Sequence, residues 1–352
     1  MNKVVDMDKS AVNPAIMGNP EKKIGQQTLI FPSRPVIAST ATIAGPKEGE
    51  GKLGNRIDRL LEDNLDGQSS WEKTESSMLE WALREAAGKA GGLSTVEVIL
   101  AGDLLNQLMA THFGIRNLGL PFLGLYGACS TFSMGLLLAG IIVDGGFANK
   151  VAIGVSSHHN TAERQYRFPT ELGVQRPPVA QWTVTGAGAV VLAKTGEGPA
   201  ITCATIGKII DMGETDPNAM GPAMAPAAAD TIAQHLLDTG RDPKYYDLIA
   251  TGDLGTVGKT LLIAFLKDKG VDISHNYEDC GCMIYHKEQD VHAGASGCAC
   301  SALVFCAEFY RLMRAKAMKR LLLVATGSLH SPTSYQQKET IPCIAHAISI
   351  EI

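Results

Sequence analysis

Charge is scarce in this chain. Only 19% of its 352 residues are Asp, Glu, Lys or Arg, and aromatic residues make up 6%. With a mean hydropathy slightly above zero, such a chain buries much of its length, and disorder on a large scale is excluded. No apolar run reaches the roughly 18 residues of a transmembrane helix. Any membrane association is therefore expected through partners or surface contact. The first residues, Met1-Asn-Lys-Val-Val-Asp-Met-Asp-Lys-Ser10, hold no apolar core of a signal peptide, so no export is expected. The eight cysteines are then expected as thiols rather than disulfides. An excess of basic residues is also lacking. The net charge of −5 and pI of about 6.0 speak against a nucleic-acid partner. The length allows one large or two medium domains.

What is present is organised around Gly127 to Gly146, which opens Gly127-Ala-Cys-Ser-Thr131 and runs on almost wholly apolar, with Asp144 its only charge. A helix apolar all round is a buried helix. Ser130 and Thr131 are placed to cap it, and Gly145-Gly146 to end it. Cys129 then sits at the helix mouth, where free N–H groups and the helix dipole lower a thiol's pKa and favour anions. A nucleophile, an anion pocket and plain packing, the commonest use of a free cysteine, all stay open on this stretch alone.

Along the chain, residues 1–22 are polar, with Asn13-Pro14 and Asn19-Pro20, and are expected as a flexible extension. Strands are expected from Val36, over 96–101, 151–155, 186–193 and 206–211, in 247–254, and over 319–326 and 344–350. Helices are expected over 71–90, 104–113, 223–237, 256–269 and 297–314. Residues 45–51 and 161–178 read as irregular. The two halves repeat in letters. Ile99-Leu-Ala-Gly-Asp-Leu104 matches Ile249-Ala-Thr-Gly-Asp-Leu254. Gly127-Ala-Cys-Ser130 matches Gly294-Ala-Ser-Gly297, and Val151 to His158 matches Leu323 to His330. An insertion separates Asp253 from Gly294 in the second copy. The pattern implies a duplicated α/β fold, with helix layers sandwiching and separating two sheets, halves at 23–199 and 200–352.

A duplication with a cysteine at a buried helix mouth resembles the thiolase and ketoacyl synthase superfamily, whose fold is layered α-β-α-β-α. Longer strings carry a narrower likeness. Gly102-Asp-Leu-Leu-Asn-Gln107, Tyr126-Gly-Ala-Cys-Ser-Thr131, Ser156-Ser-His-His-Asn160, Ala180-Gln-Trp-Thr-Val-Thr-Gly-Ala-Gly188, Met220-Gly-Pro-Ala-Met-Ala-Pro-Ala-Ala228 and Ile341-Pro-Cys-Ile-Ala-His-Ala347 resemble the stage V sporulation protein AD family. The likeness runs from about residue 22 to the end. It implies a non-enzymatic thiolase-like protein of endospore formers that binds dipicolinic acid, pyridine-2,6-dicarboxylate, free or as its calcium chelate. It implies membership of a transport complex with membrane subunits at the spore inner membrane, peripheral attachment there, and no cofactor. The thiolase fold further implies a homodimer.

The residues allow a rival, an acyl-CoA-dependent acyltransferase with Cys129 as nucleophile. Ketoacyl synthases place a histidine after the strand that here reads Asp247-Leu-Ile-Ala-Thr-Gly-Asp253, and none stands there. Asp253 is a poor oxyanion donor when ionised. Yet His292-Ala-Gly-Ala-Ser-Gly297 resembles a shortened thiolase string, which leaves a Cys129–His292 pair as an activated thiol. For a dicarboxylate, Arg164 and Arg167 follow His158-His159 and can grip bidentately, or can simply pair with Glu163 and Glu171. Gln181 and Trp182 offer a donor and a flat face, or a core tryptophan. His158, His159 and His292 lie at strand ends or a helix mouth, where α/β folds bind ligands. Asp253 and Ser296 complete the candidate set. The remaining histidines, His330 and His346 included, read as structural or surface. No metal site is expected: Cys298 and Cys300 would lie about 200° apart on a helix. The loop Gly252 to Thr260 fails as a phosphate loop because Asp253 occupies a required glycine position.

Overall fold

The protein is described by a computed structural model over residues 22–352. But for Lys22, the expected extension of residues 1–22 lies outside the described residues. The first half builds strands β1 (Val36–Ala44), β2 (Val98–Gly102), β3 (Phe122–Gly124), β4 (Lys150–Ser157) and β5 (Gly186–Ala193). The second builds β6 (Ala200–Thr205), β7 (Leu248–Thr251), β8 (Tyr277–Asp279), β9 (Arg320–Ser328) and β10 (Cys343–Glu351). Strand order is β3-β2-β4-β5-β1 in one and β8-β7-β9-β10-β6 in the other. In each, three strands run parallel and the fourth and fifth alternate in direction. The sheets join through one residue pair, Ala200 with Val36.

The helices are α1 (Trp71–Lys89), α2 (Met109–Ile115), α3 (Thr131–Asp144), α4 (His159–Tyr166), α5 (Met220–Thr239), α6 (Gly255–Asp268) and α7 (Cys298–Val304). Side chains alternate across a strand, and the alternation sorts the layers. In β5, Ala189 and Val191 pack with α1, while Val190 and Leu192 face α3 and α7. In β9, Leu322 and Val324 pack with α5, while Leu321 and Leu323 face the same central helices. The result is five layers, α-β-α-β-α. Both faces of each sheet are covered, which is why β5 is buried at every residue. Close approach needs glycine: a Cβ on Gly135 of α3 would lie 2.6 Å from Ile153 Cγ2 of β4.

Four local expectations give way. The helix expected from Leu104 begins at Met109, because Asp103 holds the Leu105 N–H and Gln107 and Leu108 turn left-handed. The stretch after Thr161 expected as irregular is helical to Tyr166, since Ala162 and Thr161 close the turn onto His158 O. Residues 46–49 of the expected loop form a helical turn. The strand expected over 206–211 instead precedes that segment, at Ala200–Thr205, where the sheet continues; only Ile210 bridges to Cys343.

Candidate functional site

Beyond β3 the chain turns sharply into α3, and Ala128 takes φ 49°, a left-handed conformation unusual for alanine. Ser130 and Thr131 serve this turn rather than the helix. Ser130 Oγ donates to Gly127 O (2.6 Å), and Thr131 Oγ1 donates to Ala128 O (2.6 Å) while accepting from Gly127 N (3.0 Å). The expected side-chain caps are therefore absent, and the hydroxyls instead fix the elbow that presents Cys129.

Behind the thiol stands Asp253. It accepts from Ser296 Oγ (2.8 Å), Gly297 N (3.1 Å) and Thr326 Oγ1 (2.8 Å). Cys129 Sγ lies 3.9 Å from Ser296 Oγ. Burial pushes the Cys129 thiol well above its ordinary range, and the charge of Asp253 and the neighbouring Cys298 push the same way. This reverses the expectation from the helix mouth: desolvation and a nearby carboxylate outweigh the dipole.

Cys129 opens onto a narrow cleft of about 350 Å³. Tyr126, Tyr166, Leu104 and Met220 supply its apolar and aromatic surface. Ser296, Ser328 and Thr183 supply hydroxyls, and Arg167 and His330 supply nitrogen donors. His330, read from sequence as structural, is 4% exposed, and among the described residues neither ring nitrogen has a hydrogen-bond partner. Burial, and then Arg167, bring its pKa down to about 4, so it is neutral at pH 7. Arg167 is buried and engages Glu163 with two bonds (2.9 and 2.8 Å), and it also reaches Pro217 O at 3.3 Å. Burial raises the Glu163 carboxyl, but Arg167 outweighs it and holds Glu163 below its usual range.

The other predicted residues divide. Ser296 and Arg167 join Cys129 in the cleft. Arg164 does not: it lies half-exposed, paired with Glu72 and set over the Trp71 ring. His158 is buried with both nitrogens used, by Asn64 O (2.8 Å) and Asn160 N (3.2 Å). Gln181 is a buried tie between halves, donating to Asp253 O and Ala295 O at 2.8 Å each. His292 lines a separate surface cleft with Lys259 and Asp290, so the Cys129–His292 pair is not formed. His159 and Trp182 stack at 3.6 Å and line a second cleft that shares Arg167 with the first. Sequence reasoning missed His330, Arg176, Tyr126 and Tyr166. The repeat that aligns His330 with His158 was the available signal for the first; nothing in the letters marks the others. Among the described residues, no three His, Cys, Asp or Glu are grouped to hold a metal ion.

OleA of Xanthomonas campestris superposes with a TM-score of 0.60 at 16% identity, over 92% of this chain and 99% of that one. The 3-oxoacyl-[acyl-carrier-protein] synthase III of Aquifex aeolicus gives 0.55 at 14%, over 90% and 100%. These likenesses establish the thiolase-like fold. In sequence, the stage V sporulation protein AD of Bacillus subtilis is 46% identical over 331 residues, covering 94% of this chain and 98% of that protein. The profile described as Stage V sporulation protein AD (SpoVAD) matches residues 25–351. A match over nearly the whole chain, together with that identity, places this chain in the stage V sporulation protein AD family.

Proposed function

We propose that this sporulation-family chain binds pyridine-2,6-dicarboxylate in the Cys129 cleft and does not transfer acyl groups. One observation carries the reading: His330 faces the cleft with two ring nitrogens that nothing in the described protein satisfies. A buried polar group without a partner costs stability, so a ligand that bonds it recovers that cost. Arg167 adds positive charge beside it, the Ser328 hydroxyl, given only to the Met220 sulfur, can turn to a carboxylate, and Tyr126 and Tyr166 offer flat faces for the ring. The protonated, carboxylate-flanked thiol supports binding over catalysis, because a nucleophile needs the opposite shift. Calcium, in this reading, arrives bound to the ligand.

The biological setting follows the same proposal. No described helix is long and apolar enough to cross a membrane, so passage of the ligand into the developing spore would need membrane subunits, with this chain peripheral to them. The edge strand β3, with Leu123 exposed, supports a homodimer.

Calorimetric titration with the 2,6-dicarboxylate, with and without equimolar calcium, tests the reading, with the 3,4-isomer as control. Saturable heat from the 2,6-isomer alone is expected; no heat in either form would sink it. The acyltransferase reading retains one favourable observation, a histidine sharing the cleft with the elbow cysteine. It requires label from an acyl-CoA on Cys129 that Cys129→Ala abolishes, and we expect no such label.

A further inference from the structure

The second cleft, between α4 and the segment 168–177, encloses about 510 Å³ and is the roomier of the two that share Arg167. Its charge does not balance. Among the described residues Glu163 is the only carboxylate lining it, and both arms of that carboxylate are taken by Arg167. Arg176 lines the same cleft, forms no ion pair among the described residues, and donates only through Nη2, to Gln181 O. Its Nε and Nη1 are buried and meet no acceptor among the described residues. The flat face of Trp182, 5.0 Å away, offsets the charge in part. His159, 4% exposed, adds a ring whose Nδ1 also has no partner among the described residues and stands 4.0 Å from Glu163 Oε1, beyond hydrogen-bond reach.

A half-buried guanidinium with two idle donors is costly unless an anion completes it. Each two-point edge of a guanidinium includes Nη2, which carries a second hydrogen beyond the one given to Gln181 O, so a carboxylate can pair with Nη1 and Nη2 on their shared edge. Around it, Phe168, Val174 and Pro177 are apolar. We infer that the Trp182 cleft is a second anion site, separate from the Cys129 cleft, that takes a small planar monocarboxylate with Arg176 as its gripping cation. The inference does not depend on what the Cys129 cleft binds.

The test uses the full chain, with benzoate as probe and benzamide as its uncharged counterpart, read by intrinsic tryptophan fluorescence. Benzoate is expected to quench saturably in the millimolar range, and Trp182→Phe to remove that signal. Benzamide should bind at least tenfold more weakly. Arg176→Gln should weaken benzoate at least tenfold, and Arg176→Lys, which keeps the charge but loses the two-point edge, by a smaller factor of about three to ten; thermal melts show that both variants are folded. Equal quenching by benzamide, or an Arg176→Gln variant that binds as the parent does, overturns the inference, and so does the lack of saturable quenching. Any of these leaves the 2,6-dicarboxylate reading standing, because that reading is tested by His330→Ala, and His330 does not line this cleft.

Discussion

The two halves use the same letters for opposite ends. Asp103 and Asp253 close the same Gly-Asp-Leu turn after β2 and β7. Asp103 turns outward to α2, where it accepts from Thr111 Oγ1 (2.5 Å), Thr111 N (2.7 Å) and Leu105 N (2.6 Å). Asp253 turns inward, holds the mouth of α7 and stands behind Cys129. At the helix mouths, Cys129 opens to a cleft, whereas its counterpart Ser296 is tied back to Asp253. The second half's turn and helix mouth thus brace the first half's cysteine.

The largest effect should come from cutting that brace. Asp253→Ala leaves three buried donors without an acceptor and should cost about 4 kcal/mol. It also removes a negative charge from beside the thiol, so Cys129 should alkylate about tenfold faster at pH 8. Asp103→Ala should destabilise comparably and leave the Cys129 rate unchanged. Urea melts and iodoacetamide kinetics on both variants decide it; equal rates would mean the carboxylates are not specialised.

A smaller effect sits where the halves are stitched. Glu48 of the first half accepts from Thr185 N (3.1 Å) and from the Tyr285 hydroxyl of the second. Burial pushes its carboxyl from 4.5 up to about 7, against the lowering effect of those bonds. As pH rises from 4.5 to 7 the unfolded chain gives up this proton first. The folded state then holds more protons, and stability falls until the pH passes the folded value. Between pH 5 and 8 the parent should lose about 2.5 kcal/mol more than Glu48→Gln, read from urea melts at both ends. Parallel loss in both proteins would place the titration elsewhere.

The architecture was legible because burial on both faces of a sheet writes continuous apolar strands, and duplication writes them twice. Asp103 and Asp253 were found as a repeated pair, and Cys129 as a helix mouth. What the letters could not carry was direction. Arg164 on α4 and Arg167 just past its end, three apart, part company: one is drawn out to Glu72, the other in to Glu163. His292 follows a plausible string yet faces another cleft, because its backbone is left-handed at φ 54° on the inserted loop. The thiol's pKa followed desolvation, which depends on residues from both halves closing over it and on Asp253 from the distant copy.

The histidines at the ends of β4 and β9 give the finest version of the comparison. His158 spends both nitrogens on the backbone of its own half and stacks 6.5 Å from Trp71. His330 spends neither, and only leans on Tyr166 at 5.3 Å. Truncating His158 therefore forfeits hydrogen bonds as well as packing, about 2 kcal/mol, and should leave affinity for the 2,6-dicarboxylate within twofold. Truncating His330 forfeits packing alone, about 1 kcal/mol of stability. It should nonetheless weaken that ligand about tenfold, since the ring's nitrogens have no other use in the described fold. If both alanine variants bind as the parent does, the idle nitrogens of His330 are a leftover of duplication and not a ligand contact. Should His158→Ala instead weaken binding, the division of labour between the halves runs the other way.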